Sequence, residues 1–158
     1  MATSLDGVSM PVLLRHARTA YGAAMRTALT KAGYEDIPRN GLYVIGGLSL
    51  EAGAHPLSQL IAELRISKQA AGQLVDTLVT RGYLERDVNP ADRRKLTITL
   101  SKRGRAAAKV LAAARATVDA ELRSRVGPKD IERARRTLAA LIAIGHEQES
   151  RDGTEQYS

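Results

Sequence analysis

Apolar residues recur along most of this chain at steps of three and four. Leu13, Leu14, Ala17, Tyr21, Ala24, Met25, Ala28 and Leu29 form one such stripe. It predicts a helix from Pro11 to about Gly33. Pro11 suits a first helical turn, where its missing N–H would have no partner anyway. Asp36-Ile37-Pro38-Arg39-Asn40-Gly41 reads as a turn. Leu42, Tyr43, Ile45 and Leu48 predict a second helix, weakened by Gly46 and Gly47. Leu57, Leu60, Ile61 and Leu64 place one apolar face on a short third helix, with Ser58, Gln59 and Glu63 outward.

Arg65-Ile66 is a tight turn, and Ser67 can cap the next helix by accepting from free N–H groups of its first turn. Ala70, Ala71, Leu74, Val75 and Leu78 form the inner face of that fourth helix. It should run about 15 residues and roughly 22 Å, a length that fits a major groove. Gly82 stands where a left-handed C-cap is needed, and Tyr83 can fold back onto the last turn.

Beyond it the period changes from helical to two. Leu96, Ile98 and Leu100 alternate with Lys95, Thr97 and Thr99, which predicts a strand with one face in and one out. Residues 84–88 supply its partner, and Asn89-Pro90-Ala91-Asp92-Arg93-Arg94 the turn. Ser101 caps a long helix with Val110, Ala114, Val118 and Leu122 on its stripe. Gly127-Pro128 breaks it. A last helix starts near Lys129, carries Ile131, Ala134, Leu138, Leu141 and Ile142, and frays after Gly145.

The pattern therefore predicts a mainly α protein of six helices with a small β-hairpin wing. Residues 34–100 form a winged helix-turn-helix lobe, a DNA reader. Residues 11–33 and 101–146 form a helical dimerisation region, because their apolar stripes exceed what the lobe can cover. Residues 1–10 are a flexible start and 147–158 a polar tail.

The outer face of the fourth helix carries the candidate chemistry. Lys68, Gln69, Gln73, Asp76, Thr77, Thr80 and Arg81 point away from its apolar side. Gln69 and Gln73 project together, and a glutamine amide can pair with adenine through two hydrogen bonds. Lys68 in the first turn opposes the helix dipole, a conflict that a phosphate would cancel. Lys102, Arg103 and Arg105 repeat that conflict at the next long helix. On the wing, adjacent Arg93 and Arg94 suit a minor groove, where negative potential is strongest. Asp92 can hold one of them in a fixed direction.

Charge supports the same partner. The chain has 158 residues and a net charge of +7. Residues 147–158 hold Glu147, Glu149, Asp152 and Glu155 against Arg151, so the rest of the chain carries +10. A basic body favours a polyanion. There is no Cys, which excludes disulfides, thiolate metal sites and a thiol redox switch. No apolar run is long enough to span a membrane and the start lacks a signal-peptide pattern, so a cytoplasmic protein is expected. No cofactor is expected. His16, His55 and His146 are far apart in sequence, without an accompanying acid or nucleophile pattern, and no phosphate-loop or metal-spaced motif occurs. An enzyme is therefore not expected. A winged-helix protein-interaction scaffold is the alternative reading, disfavoured by the basic wing tip.

Three pieces together resemble the MarR family of bacterial transcriptional regulators. The helix at 67–78 with its exit Arg81-Gly82-Tyr83-Leu84-Glu85-Arg86 is similar to that family's recognition helix. Asn89-Pro90-Ala91-Asp92-Arg93-Arg94-Lys95 is similar to its wing motif. Residues 96–104, passing through Ser101 and Gly104, resemble the strand that leads into its dimer helix. The resemblance covers roughly residues 11–145. It implies a homodimeric regulator of double-stranded DNA, a repressor on a pseudo-palindromic operator, with Arg94 in the minor groove and Asp92 as its positioner. Together with the residues read above from helix face and charge, the expected DNA contacts are Ser67, Lys68, Gln69, Gln73, Thr77, Arg81, Asp92, Arg93, Arg94, Lys95, Lys102 and Arg103. The resemblance also implies release by a small aromatic or anionic effector, but offers no motif for the pocket; Tyr21, Met25 and Tyr43, from the first two helices, read first as core packing and second as the lining of a ligand cleft near the DNA lobe. The chain departs from the family at Ala70, Gly72 and Gln73, where members often carry a hydroxyl or Arg, so the bases read here should differ.

Overall fold

A computed structural model describes residues 5–49, 57–89 and 91–155, with side chains left undescribed at 89, 92–96 and 152–155. Six helices and one hairpin occur among them: α1 (Met10–Lys31), α2 (Gly41–Leu48), α3 (Leu57–Glu63), α4 (Lys68–Thr80), β1 (Leu84–Asn89), β2 (Asp92–Leu100), α5 (Lys102–Val126) and α6 (Pro128–Glu155). The chain divides into two compact units, Met1–Ala116 and Thr117–Ser158.

The core of the first unit is drawn from every layer of the lobe. Leu29 of α1, Val44 and Ile45 of α2, Leu78 of α4, Tyr83, and Leu111 of α5 are fully buried. They belong to one cluster with Ile37, Leu74, Leu84 and Leu100. Burying a side chain of this size contributes about 1.5–3 kcal/mol, and Leu84 and Leu100 bring both strands of the hairpin into the same core.

Two glycines of the lobe are set by packing. A Cβ on Gly47 would lie 2.9 Å from Leu60 Cδ1. The residue that weakens α2 by propensity is thus the one that lets α3 dock on it. A Cβ on Gly104 would run into the carbonyl of Tyr83. Its absence lets α5 start directly against the exit of α4.

The hairpin differs from expectation. Asn89 pairs with Asp92, and Val88 pairs with Leu96, so β2 begins inside the segment expected to be turn. Residues 93–95 lie between those two ladder pairs with no facing residue on β1. The register shifts between Val88 and Asn89, so the extra residues on β2 interrupt the ladder without ending it. Helix α4 is 13 residues, shorter than the expected length.

In the second unit, Gly127 ends α5 with φ of 79° and its N–H donates to the Arg123 carbonyl at 2.9 Å. Pro128 opens α6, which runs through Gly145 to Glu155 rather than fraying there. One glycine costs a helix only about 1 kcal/mol relative to alanine, and the Glu, Gln and Arg residues after it are good helix formers. No described side chain of α6 is buried: Leu138, Leu141, Ile142 and Ile144 are 41–59% exposed. No helix among the described residues is long and apolar enough to cross a membrane.

Candidate nucleic-acid interface

The helix-turn-helix is set by local chemistry. Arg65 turns the chain with φ of 50°, a left-handed conformation that costs a non-glycine residue about 1–2 kcal/mol. Ser67 is extended, and its Oγ accepts from the Ala70 N–H at 3.1 Å. The helix then buries Ala71, Leu74 and Leu78. Lys68, Gln69, Gly72, Gln73 and Asp76 are left exposed or nearly so, and Thr77 is half-buried. No acid sits in the first turn, so Lys68 adds to the positive end of the helix dipole and this corner favours an anion. Asp76 is ion-paired with Arg86 of β1. The pair mutes the acid's repulsion toward a polyanion and ties the wing to α4.

The C-terminal end of α4 is latched. Gly82 has φ of 77°, and its N–H donates to the Val79 carbonyl at 2.9 Å while the Tyr83 N–H donates to the Leu78 carbonyl at 2.8 Å. The Tyr83 side chain enters the core, meets Tyr34 edge-on at 6.1 Å between ring centres, and donates its hydroxyl to Asp36. Arg103 lies over the Tyr83 ring, 4.5 Å from its centre. It donates to the Arg81 carbonyl at 2.8 Å and to Asp36 at 3.3 Å. Arg81 donates to the Asp36 carbonyl. Ser101 donates its hydroxyl to the Gly82 carbonyl while its Oγ accepts from the Gly104 N–H at 3.0 Å. Arg81 and Arg103, expected at the DNA, are here engaged in fixing how α4 leaves the lobe. The Tyr83 hydrogen bond, with Arg103 and Arg81 adding charge, holds the Asp36 carboxyl below its ordinary 3.8 against the opposing effect of burial. Burial first, and then Asp36, pushes the Tyr83 hydroxyl up to about 12.

The remaining expected residues separate into three groups. Ser67 and Lys102 are exposed at the starts of α4 and α5. The wing residues Asp92, Arg93, Arg94 and Lys95 have their backbone in β2, but their side chains, like Pro90 entirely, lie outside the described residues. Tyr21, Met25 and Tyr43 are not among the residues lining the cleft described below. Met25 packs against the core. Tyr43, 40% exposed, donates to Glu63 of α3, which also accepts from Gln59 at 3.1 Å. Burial, then the Glu63 bond and charge, pushes its hydroxyl up to about 12, with Arg18 opposing. His16 and His146 are exposed on α1 and α6, and His55 lies outside the described residues.

A cleft of about 610 Å³ opens elsewhere, between the end of α2, β2 and the first half of α5. Leu48, Leu100, Ala108 and Ala112 line its apolar part, and Ser49, Thr99, Arg105, Lys109 and Arg115 its polar part. Among the described residues its wall holds three cations and no acid, which suits an anion with an apolar body. Arg105 also donates to the Leu100 carbonyl at 2.7 Å, which fixes its direction. Arg105, Ala108, Lys109, Ala112 and Arg115 recur at helical steps, the one sequence signal for this wall. Nothing local pairs it with Leu48 and Thr99.

Comparison with known proteins places this geometry. Residues 35–95 match the model of the MarR family. No curated protein matches the sequence. Among solved structures, RV1404 of Mycobacterium tuberculosis is 26% identical, with a TM-score of 0.63 over 92% of this chain and 97% of its own. Streptococcus pneumoniae FabT, solved in complex with DNA, is 18% identical, with a TM-score of 0.70 over 87% and 96%. RV2887 of Mycobacterium tuberculosis, a MarR family protein in complex with salicylic acid, is 24% identical, with a TM-score of 0.60 over 86% and 98%.

Proposed function

We propose, from the match of residues 35–95 to the MarR family, that the protein is a dimeric regulator of double-stranded DNA. It reads a pseudo-palindromic operator, represses from it, and is released by a small effector. One observation carries the reading: α4 buries one face and presents Lys68, Gln69 and Gln73 on the other, capped by Ser67. Glutamine amides supply base contacts. Lys68 and Lys102, joined by Arg93 and Arg94 on the wing, supply phosphate and minor-groove contacts. That FabT was solved with DNA supports this use of the fold.

The exposed apolar residues of α6, Leu138, Leu141 and Ile142 among them, support a dimerisation region built from residues 11–33 and 101–146. A two-fold dimer would set two copies of α4 about one helical turn of DNA apart. The cleft with Arg105, Lys109 and Arg115 supports an aromatic carboxylate as effector, in keeping with salicylic acid bound to RV2887.

The test is fluorescence anisotropy with duplex DNA across a salt series, alongside the mass in solution. Affinity should fall steeply with salt, on the order of 10³-fold between 50 and 200 mM for six or more phosphate contacts. A flat salt profile would favour a protein-interaction scaffold. A monomer at micromolar concentration would overturn the operator geometry.

A further inference from the structure

Gly72 sits in the middle of α4, on its exposed face. Glycine is the poorest helix former after proline, so its presence there needs a cause. Four described glycines in or beside the lobe show a cause. A Cβ on Gly41 would lie 3.0 Å from Leu78 Cδ2, Gly47 and Gly104 are closed by neighbours, and Gly82 has φ of 77°. Gly46 would accept a Cβ in ordinary contact with Arg115, at 3.7 Å, and Gly22 of α1 and Gly145 of α6 have open space beside them. At Gly72 a Cβ would meet nothing within 4 Å, and the backbone is helical. Inside the folded chain this glycine therefore has no reason to be glycine.

Its neighbours indicate where the reason lies. Gln69 is one turn back and Gln73 is adjacent, both exposed; Lys68 and Asp76 flank them a turn away on either side. Gly72 thus forms a bare notch of backbone at the centre of the face that would enter the groove. An alanine methyl there would stand proud of the helix and hold it off an opposing surface.

We infer that Gly72 is a specificity-determining residue, the point at which α4 brings its backbone against the base-pair edges of duplex DNA. Depth of entry depends on it. With no side chain beside Gln69 and Gln73 at residue 72, the helix can come close enough for the two amides to reach the purine edges. This rests on the DNA-reading function proposed above.

The experiment compares wild-type protein with Gly72→Ala. Wild-type protein first selects a preferred sequence from a pool of randomised duplexes. Both proteins are then titrated with the selected duplex and with a scrambled one, and both are melted thermally. Gly72→Ala should melt about 2–4 °C higher, because the helix gains propensity without a clash. Its affinity for the selected duplex should fall about tenfold or more, the scale of one disrupted base contact. Affinity for the scrambled duplex should change less than about twofold, since phosphate contacts dominate there. Retained affinity for the selected duplex would overturn the inference. So would a lower melting temperature, which would reveal a role within the fold. If wild-type protein bound no duplex at all, the DNA-reading function itself would fall, an outcome distinct from the other two.

Discussion

Gly104→Ala tests the account of how α4 is joined to α5. A Cβ at residue 104 would overlap the Tyr83 carbonyl oxygen, lie 3.0 Å from its carbon, and sit 3.1 Å from Leu100 Cδ2. Two of those atoms are backbone, so no rotamer change relieves the contact; α5 must move away from the exit of α4. Forcing a methyl into such a site costs about 1–3 kcal/mol. The shift also loosens the Ser101 N–H to Tyr83 carbonyl bond, 3.0 Å long, and the Ser101 cap on Gly104. Each contributes about 1 kcal/mol. Alanine returns about 1 kcal/mol of helix propensity. The net loss is about 2–4 kcal/mol, or a melting point lower by roughly 5–15 °C. Urea unfolding at fixed protein concentration reads it as a lower midpoint with an unchanged slope. A variant within about 0.5 kcal/mol of wild type would refute the close approach. The comparison with Gly72→Ala sharpens the test, since the same chemical change should then give opposite signs at two helical positions.

The latch around Asp36 makes stability depend on pH at both extremes. Its carboxyl is held below 3.8 in the folded state, so its contribution is complete above 3.8 and is lost as pH falls through the lower folded value. Asp36→Asn should flatten that acid limb in urea midpoints measured against pH. Tyr83 titrates near 12 when folded and 10.0 when unfolded; its contribution is complete below 10 and disappears as pH rises toward 12, a limb that Tyr83→Phe should remove. Arg94→Ala should weaken binding to every duplex and lower the salt slope, whereas Gln73→Ala should change base preference by about 1–3 kcal/mol; normal binding by Arg94→Ala would remove the wing from the interface. A thermal-shift screen of phenolic acids should stabilise the wild-type protein, and Arg105→Ala with Lys109→Ala should abolish the effect if the cleft holds the carboxylate; a shift surviving both substitutions would place the ligand elsewhere.

Much of the architecture was legible in the order of residues. Helical stripes, the Ser67 and Ser101 caps, the Gly82 turn and the two-residue alternation of Leu96, Ile98 and Leu100 are short-range signals. They depend on which side chains lie three, four or two positions apart, so no tertiary contact is needed to read them. The exposed face of α4 came from the same periodicity. What only the folded chain decided were pairings across long separations. Asp36 looked like a turn residue until it met Tyr83 and Arg103, 47 and 67 positions away. Arg81 and Arg103 were read as DNA contacts, and the fold also joins both to Asp36 and sets Arg103 over the Tyr83 ring. The charged cleft needed Leu48, Thr99 and Arg105 brought together, and Tyr43 met Glu63, 20 positions away. Gly47 and Gly104 were penalties in a helix scale, and became requirements once a neighbouring backbone or leucine arrived. Local propensity is encoded by spacing along the chain, while partnership between charges and close approach between helices exist only after the chain has closed on itself.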